Sequence, residues 1–245
     1  MKLKLSASRE LVQDLVAASR ILAQHGVLDA YGHVSARSDR KPGRFIMSRS
    51  LAPALVTAAD LMELDPDSEP LAPDKRKGFI ERYIHGEIYR ARPEVMAVVH
   101  SHSPSVIPFG VTRTRLRPVY HMGSFLWSGA PVFDIRKERA DNDLLIRDRP
   151  LGQALAGTLG KCNCVLMRGH GMTVIGDSVP EAVFRAIYTE MNARLQLQSS
   201  QLEGPIEFLS EEEGKRSTAS NRGTLERPWE LWKKSVSGAR SRSSG

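Results

Sequence analysis

The chain has 245 residues, 35 of them Lys or Arg and 28 Asp or Glu, which sets a formal charge of +7 and an isoelectric point near 9.6. Eight basic and two acidic residues fall in 215–245, so all but +1 of that excess belongs to the C-terminal tail, and a nucleic-acid-binding body is excluded. With 41% hydrophobic and 26% charged residues, the composition is that of a globular protein able to bury a sizeable core.

Met1 to Glu10 contains no apolar stretch of the length a signal peptide or a membrane span requires, so a cytoplasmic protein without membrane association is expected. Leu11, Val12, Leu15, Val16, Ile21 and Leu22 stand at helical spacing within residues 8–25, and Gly26 is placed to end that helix in a left-handed cap. From Tyr31 to Leu71, short runs such as Phe45-Ile46-Met47 are broken by Gly, Pro and Asp and predict an antiparallel hairpin. Phe79, Ile80, Tyr83, Ile84, Ile88 and Tyr89 predict a helix over 75–91, closed by Pro93.

The apolar run Val95 to Val99 reads as a buried strand, and Ser103 before Pro104 as the cap of a further helix. Leu116 to Ile135 has the punctuation of short strands, and Leu144 to Leu159 the spacing of an amphipathic helix ending at Gly160. Strands are predicted at Cys164–Met167 and Met172–Ile175 around Gly169-His170-Gly171. Ser178-Val-Pro-Glu181 has the form of a capping box opening a long packed helix. Cys162 and Cys164, two residues apart, read as reduced core thiols rather than a disulfide or extra metal ligands. The expected organisation is one globular domain over 1–213, a docking segment over 214–236 around Trp229 and Trp232, and a disordered tail over 237–245.

The strand ending in His100-Ser101-His102 carries the chemistry. Alternate side chains on a strand share a face, so His100 and His102 can ligate one ion, although two ordinary strand-end histidines remain an alternative. His170 lies between two glycines, which permit a tight turn and close approach of backbone to a ligand, or simply a hairpin with a bystander imidazole. Three neutral imidazoles would leave coordination positions open, the form of a catalytic site. Glu81 is the fourth candidate, either an acid or base beside the ion or a solvated residue paired with Arg82 or His85.

The order Glu81, then Ala91-Arg-Pro-Glu-Val-Met-Ala-Val-Val-His100-Ser-His102, then Met167-Arg-Gly-His170-Gly, with nineteen positions from Glu81 to His100, resembles the class II aldolase/adducin family over roughly Glu10 to Leu202. The resemblance implies a three-layer α/β/α fold with a central, mostly antiparallel sheet. It also implies one divalent metal ion per chain on His100, His102 and His170, Glu81 as the catalytic acid/base, and a homotetramer with active sites at subunit interfaces. Zinc or manganese is the expected ion, with iron or cobalt also suited to three imidazoles.

Family members that act on phosphorylated sugars cradle the phosphate with Gly-Asn, a Thr/Ser-Gly turn and a Ser-Ser pair before the glutamate. The matching places here hold Gly32-His33, Ser48-Arg49-Ser50 and Phe79-Ile80. A phosphate set against Phe79 and Ile80 would lose hydration without gaining donors, so a phosphorylated substrate is not expected. Arg37, Arg44, Arg49 and Arg82 lie in or beside the segments that line the pocket in the family, and guanidinium forks suit carboxylates. One or two of these arginines, with Ser48 and Phe79, are the expected substrate contacts.

Glu81-Arg-Tyr-Ile-His-Gly-Glu-Ile-Tyr, Arg117-Pro-Val-Tyr-His-Met and Pro131-Val-Phe-Asp-Ile-Arg are similar to a subgroup of decarboxylases of hydroxylated aromatic dicarboxylates. The expected activity is therefore metal-dependent decarboxylation of a non-phosphorylated hydroxy-aromatic acid, a small-molecule carboxylate. Glu81 is then the proton donor, with His121 or Tyr120 as alternatives. Aldol cleavage or epimerisation of a small hydroxy-carbonyl compound is the competing activity. An adducin-like module without catalysis has no need of the three histidines and the glutamate together.

Overall fold

The computed structural model describes residues 5–71 and 74–237. Among them, seven strands form one sheet: β1 (His33–Arg37), β2 (Phe45–Ser48), β3 (Leu61–Leu64), β4 (Ala97–Ser101), β5 (Val132–Phe133), β6 (Cys164–Met167) and β7 (Gly171–Gly176). Their spatial order is β3-β2-β1-β4-β7-β6-β5, and every neighbouring pair is antiparallel except β5 and β6. The helices are α1 (Arg9–Gln24), α2 (Arg82–Ala91), α3 (Ile107–Val111), α4 (Arg149–Leu159), α5 (Val179–Ser199), α6 (Glu211–Arg222) and α7 (Glu226–Ser237).

The central strand explains the three layers. All five residues of β4 are buried, and successive side chains leave opposite faces of the sheet. Ala97 and Val99 join the core beneath α1 and α5, with Leu15, Ile21, Leu22, Val183 and Ile187. Val98 joins a separate core beneath α2 and α4, with Ile84, Ile88, Leu151 and Leu155. A strand covered on both faces carries a continuous apolar run, which is why Val95 to Val99 shows no alternation. The fold is thus the α/β/α sandwich with a mostly antiparallel sheet that the sequence implied.

Local signals set most helix ends. The hydroxyl of Ser8 accepts from Leu11 N–H at 3.1 Å, and Gly26 takes a φ of +67° past the end of α1. Asp148 and Ser178 cap α4 and α5 in the same way. The capping box at Ser178 is half formed, because Glu181 reaches Asp177 N–H and the Arg185 guanidinium instead.

Several boundaries differ from the sequence reading, each for a local reason. The predicted helix over 75–91 begins at Arg82, because Ser50 N–H donates to Lys77 C=O and Arg76 binds the carbonyls of Ala59 and Leu61, tying the preceding residues to other segments of the chain. The helix predicted from Leu144 begins at Arg149, since Leu144 has a φ of +69° and Asp148 is the cap. Ser103 does not cap α3: its hydroxyl bonds Ser101 and its carbonyl closes a turn before Ile107. His121–Ser128, read as strand material, is a 3-10 helix.

Helix α6 contains residue 213 and had no apolar pattern to announce it. Its opening is a capping box between Ser210 and Glu213, and Ser217 and Asn221 both donate to the His121 carbonyl. Helix α7 docks through Trp229 and Trp232, both buried. The Trp232 ring meets the edge of His25, with centroids 5.3 Å apart, while Lys233 pairs with Asp14 at 3.5 Å. Ser237 closes α7, and the rest of the predicted tail lies outside the described residues. Among the described residues no helix is long and apolar enough to cross a membrane.

Candidate functional site

Three segments meet at the C-terminal end of β4. The β1–β4 pairing sets His33 beside His100, and the β4–β7 pairing sets Ser101 beside Met172. The β6–β7 turn therefore delivers His170 next to His100 and His102. Gly169 turns the corner with a φ of +65°, and a Cβ on Gly171 would collide with the Ser101 carbonyl, so both glycines are required for that delivery. Glu81 arrives from the residue before α2.

One ligand atom from each of Glu81, His100, His102 and His170 lies within 4.8 Å of the others. His170 Nε2 is 3.1 Å from His102 Nε2 and 3.4 Å from Glu81 Oε2, and His100 Nε2 is 3.6 Å from the same oxygen. These four residues are the ones the sequence singled out as ligands and acid/base.

The outer hydrogen bonds fix which nitrogens face inward. His100 Nδ1–H donates to the Met172 carbonyl at 3.1 Å, and His170 Nδ1–H donates to the Leu144 carbonyl at 2.8 Å. Each imidazole thereby turns Nε2 toward the common centre, the arrangement a metal-ligating histidine requires. His100 Nε2 is buried and has no hydrogen-bond partner. A buried lone pair left unpaired is costly unless something else accepts it, so this donor set fits a divalent cation. Four such side chains can hold one metal ion.

Electrostatics agree with that assignment. Burial opposes ionisation of Glu81, but the hydrogen bond from His170 and the neighbouring imidazoles outweigh it and hold the carboxyl near 2. Its other oxygen accepts from Ile146 N–H at 2.9 Å. Burial pushes His100 well below the usual histidine range, leaving it neutral. Burial also opposes protonation of His170, yet Glu81 and the Leu144 carbonyl raise it.

In front of the cluster lies a cavity of about 410 Å³ lined by Tyr31, Gly32, His33, Ser50, Lys77, Phe79, Ile80, Glu81, His102 and Leu145, among others. Phe79 lies in this wall and packs on the His33 ring, with centroids 4.4 Å apart. The arginines picked from the sequence do not line it. Arg37 donates to the carbonyls of Val95, Tyr89 and Arg92, Arg44 pairs with Glu63, Arg49 with Asp60, and Arg82 with Glu69. Ser48 is buried in β2 and Ser50 reaches the cavity instead.

Tyr120 and His121 are not brought to the cluster. Tyr120 packs on Tyr188, and His121 opens the 3-10 helix with its ring exposed. Cys164 is buried and Cys162 donates to the Ser128 carbonyl, both as free thiols outside the cluster. Sequence reasoning assigned no role to His33, Lys77, or the backbone of Leu144 and Ile146. Only Gly32 before His33 offered a signal, since its φ of +82° and the His100 carbonyl and Leu28 side chain packed against it admit no side chain.

Residues 13–197 match the Class II Aldolase and Adducin N-terminal domain. The chain belongs to this family. It is 41% identical to Decarboxylase tropJ of Talaromyces stipitatus, over 92% of this chain and 93% of that protein. It is 36% identical to the 3,4-dihydroxyphthalate decarboxylase of a Terrabacter species, over 79% of this chain and 81% of the other. Among solved structures, an aldolase II superfamily protein from Pseudomonas syringae superposes with a TM-score of 0.77 over 94% of this chain and 93% of that one, at 22% identity. The protein is accordingly an enzyme, a carbon–carbon lyase of the decarboxylase type.

Proposed function

We propose that this enzyme is a metal-dependent decarboxylase of a non-phosphorylated hydroxy-aromatic dicarboxylic acid. The observation that carries the reading is the convergence of three imidazole Nε2 atoms and the Glu81 carboxylate beside a cavity that Glu81 and His102 line, with Phe79 and Ile80 in its wall where the phosphate-binding relatives carry a serine pair. The dihydroxyphthalate decarboxylases among its relatives support the substrate class.

A divalent ion on His100, His102 and His170, zinc or manganese by donor set, supplies Lewis-acid stabilisation of negative charge on the substrate's oxygens. Iron or cobalt suits the same ligands. The chain's own contribution is proton transfer. Glu81 rests as a carboxylate, so it first accepts the proton of the ring hydroxyl. It then returns that proton to the ring carbon from which carbon dioxide leaves, and water reprotonates the ring oxygen. The Ile146 N–H keeps the carboxylate aimed throughout.

The assembly belonging to this reading is a cytoplasmic homotetramer with active sites at subunit interfaces. Its supports are the exposed Tyr31 (68%) and Ile80 (42%) at the cavity and the placement of Tyr120 and His121 outside both the cluster and the cavity of their own chain. Tyr120 and His121 would then serve a neighbouring copy's site. Mixing inactive Glu81→Gln and His121→Ala proteins and finding restored turnover tests this.

The main test follows carbon dioxide from metal-loaded enzyme given 3,4-dihydroxyphthalate or a hydroxypyridine dicarboxylate. Release from one of them is expected. No release, alongside cleavage of a hydroxy-ketone, would replace this reading with aldol chemistry.

A further inference from the structure

Behind the cavity runs a buried chain of hydrogen bonds that the metal cluster does not use. His33 Nδ1 is 2.6 Å from His85 Nε2, His85 Nδ1 is 2.6 Å from Ser35 Oγ, and Ser35 Oγ is 2.8 Å from the Tyr89 hydroxyl. All four residues are buried. Burial alone holds His85 down at about 3 and keeps Tyr89 protonated, so the chain is neutral.

Counting hydrogens gives the chain one direction. Among the described residues the Tyr89 hydroxyl has only Ser35 Oγ to donate to. In the reverse direction its hydrogen would be buried without an acceptor, which costs more than any bond in the chain returns. Tyr89 therefore donates to Ser35, Ser35 to His85 Nδ1, and His85 Nε2–H to His33 Nδ1. His33 Nδ1 is consequently an acceptor, and the ring's single hydrogen sits on Nε2. That nitrogen makes no hydrogen bond to the described residues, and His33 lines the cavity, its ring centroid 5.1 Å from that of His100.

We infer that His33 is a substrate-binding residue whose Nε2–H, locked as a donor by His85, Ser35 and Tyr89, holds the carboxylate that the substrate keeps. The inference rests on the dicarboxylate reading above and adds the group that recognises the second carboxylate. Ionised acceptors strengthen such a bond, and a donor that cannot change tautomer is already organised before the substrate arrives. The fixed imidazole adds an aimed, uncharged donor to a cavity that Lys77 also lines.

The test compares 3,4-dihydroxyphthalate with 2,3-dihydroxybenzoate, which lacks the retained carboxylate, in metal-loaded enzyme. His33→Ala should lower kcat/KM for the dicarboxylate by roughly ten- to a hundredfold more than for the monocarboxylate, with metal content intact. His33→Gln, whose amide nitrogen reaches the Nε2 position, should recover most of the loss, and His33→Asn should not. Equal losses for both acids, or a glutamine variant as poor as the alanine one, would overturn the assignment.

Imidazole nitrogen NMR of the zinc-loaded or metal-free enzyme reads the tautomer without turnover. A His33 hydrogen on Nε2 that shifts on adding 3,4-dihydroxyphthalate is the expected spectrum, and Tyr89→Phe should release the tautomer. A hydrogen on Nδ1, or an Nε2 signal indifferent to the compound, overturns the inference. If the wild type binds the compound through His33 and releases no carbon dioxide, the decarboxylase reading fails and the donor stands.

Discussion

The carbonyl of Leu144 accepts Nδ1–H of His170 at 2.8 Å, and Leu144 adopts a φ of +69° to present it. A leucine in the left-handed region costs on the order of 1 kcal/mol, and such strain persists only where the surrounding structure fixes it. Two residues later, Ile146 N–H holds Glu81. One short segment before α4 therefore orients both a candidate metal ligand and the candidate proton carrier.

That relationship predicts opposite outcomes for two substitutions. Leu144→Gly removes the backbone penalty and keeps the carbonyl in place, so metal affinity should stay within about threefold of wild type. Leu144→Val, β-branched at positive φ, should pull the carbonyl away and weaken metal binding by roughly ten- to a hundredfold. Competition against a chromophoric chelator measures both, and equal affinities would show that the Leu144 carbonyl does not orient His170.

Metal binding and proton transfer should also separate. His100→Ala combined with His102→Ala leaves one imidazole and one carboxylate, and metal analysis should fall from about one ion per chain to background, with activity lost. Glu81→Gln keeps the shape and the Ile146 contact while removing the proton carrier. Metal content should persist as turnover falls by about 10²- to 10⁴-fold. A glutamine variant retaining full activity would move the proton-transfer role elsewhere.

How much of this was legible follows from what sequence patterns record. Apolar runs and caps report burial and local hydrogen bonding, so β4, β6, β7, α1 and α5 could be read, and His100, His102 and His170 stood out at their strand ends. The start of α2 could not, because Phe79 and Ile80 keep helical spacing while Lys77 is held by a residue 27 positions earlier, Ser50. Helix α6 is nearly all polar and owes its place to Trp127 and the His121 carbonyl, contacts made across the fold. The arginines were named for their charge, but each is engaged by a carbonyl or carboxylate that only the fold brings near. His33 stayed without a role because the residues that set its tautomer arrive from β1 and α2.

Gly171 is predicted to be irreplaceable even by alanine. An added Cβ would overlap the Ser101 carbonyl and approach His102 Cα to 3.0 Å, backbone that cannot move without parting β4 from β7. Gly171→Ala should cost about 3 kcal/mol, seen as a lower Tm, and should weaken metal binding because His102 and His170 flank that contact. Gly157→Ala is the control: nothing lies within 4 Å of its Cβ direction, and helix α4 should gain up to about 1 kcal/mol. Unchanged stability in Gly171→Ala would mean that the strand junction relaxes freely.

Docking of α7 should weaken in mild acid. His25 closes α1 with its ring against Trp232, and burial there lowers its pKa below the usual 6.5. Between that lowered value and 6.5, an undocked His25 takes up a proton that the docked one refuses, so undocking is favoured as the pH falls. The contribution of this contact is complete above about pH 6.5 and is lost progressively below it. Asp14, facing Lys233 of α7, is raised by burial, so its protonation favours the docked state as the pH falls and opposes the effect of His25. Urea unfolding followed by tryptophan fluorescence should therefore show midpoints falling between pH 7 and 5.5. His25→Phe, which keeps an aromatic edge on Trp232 without a titrating nitrogen, should flatten the fall, and an unaltered slope in that variant would assign the acid sensitivity to other groups.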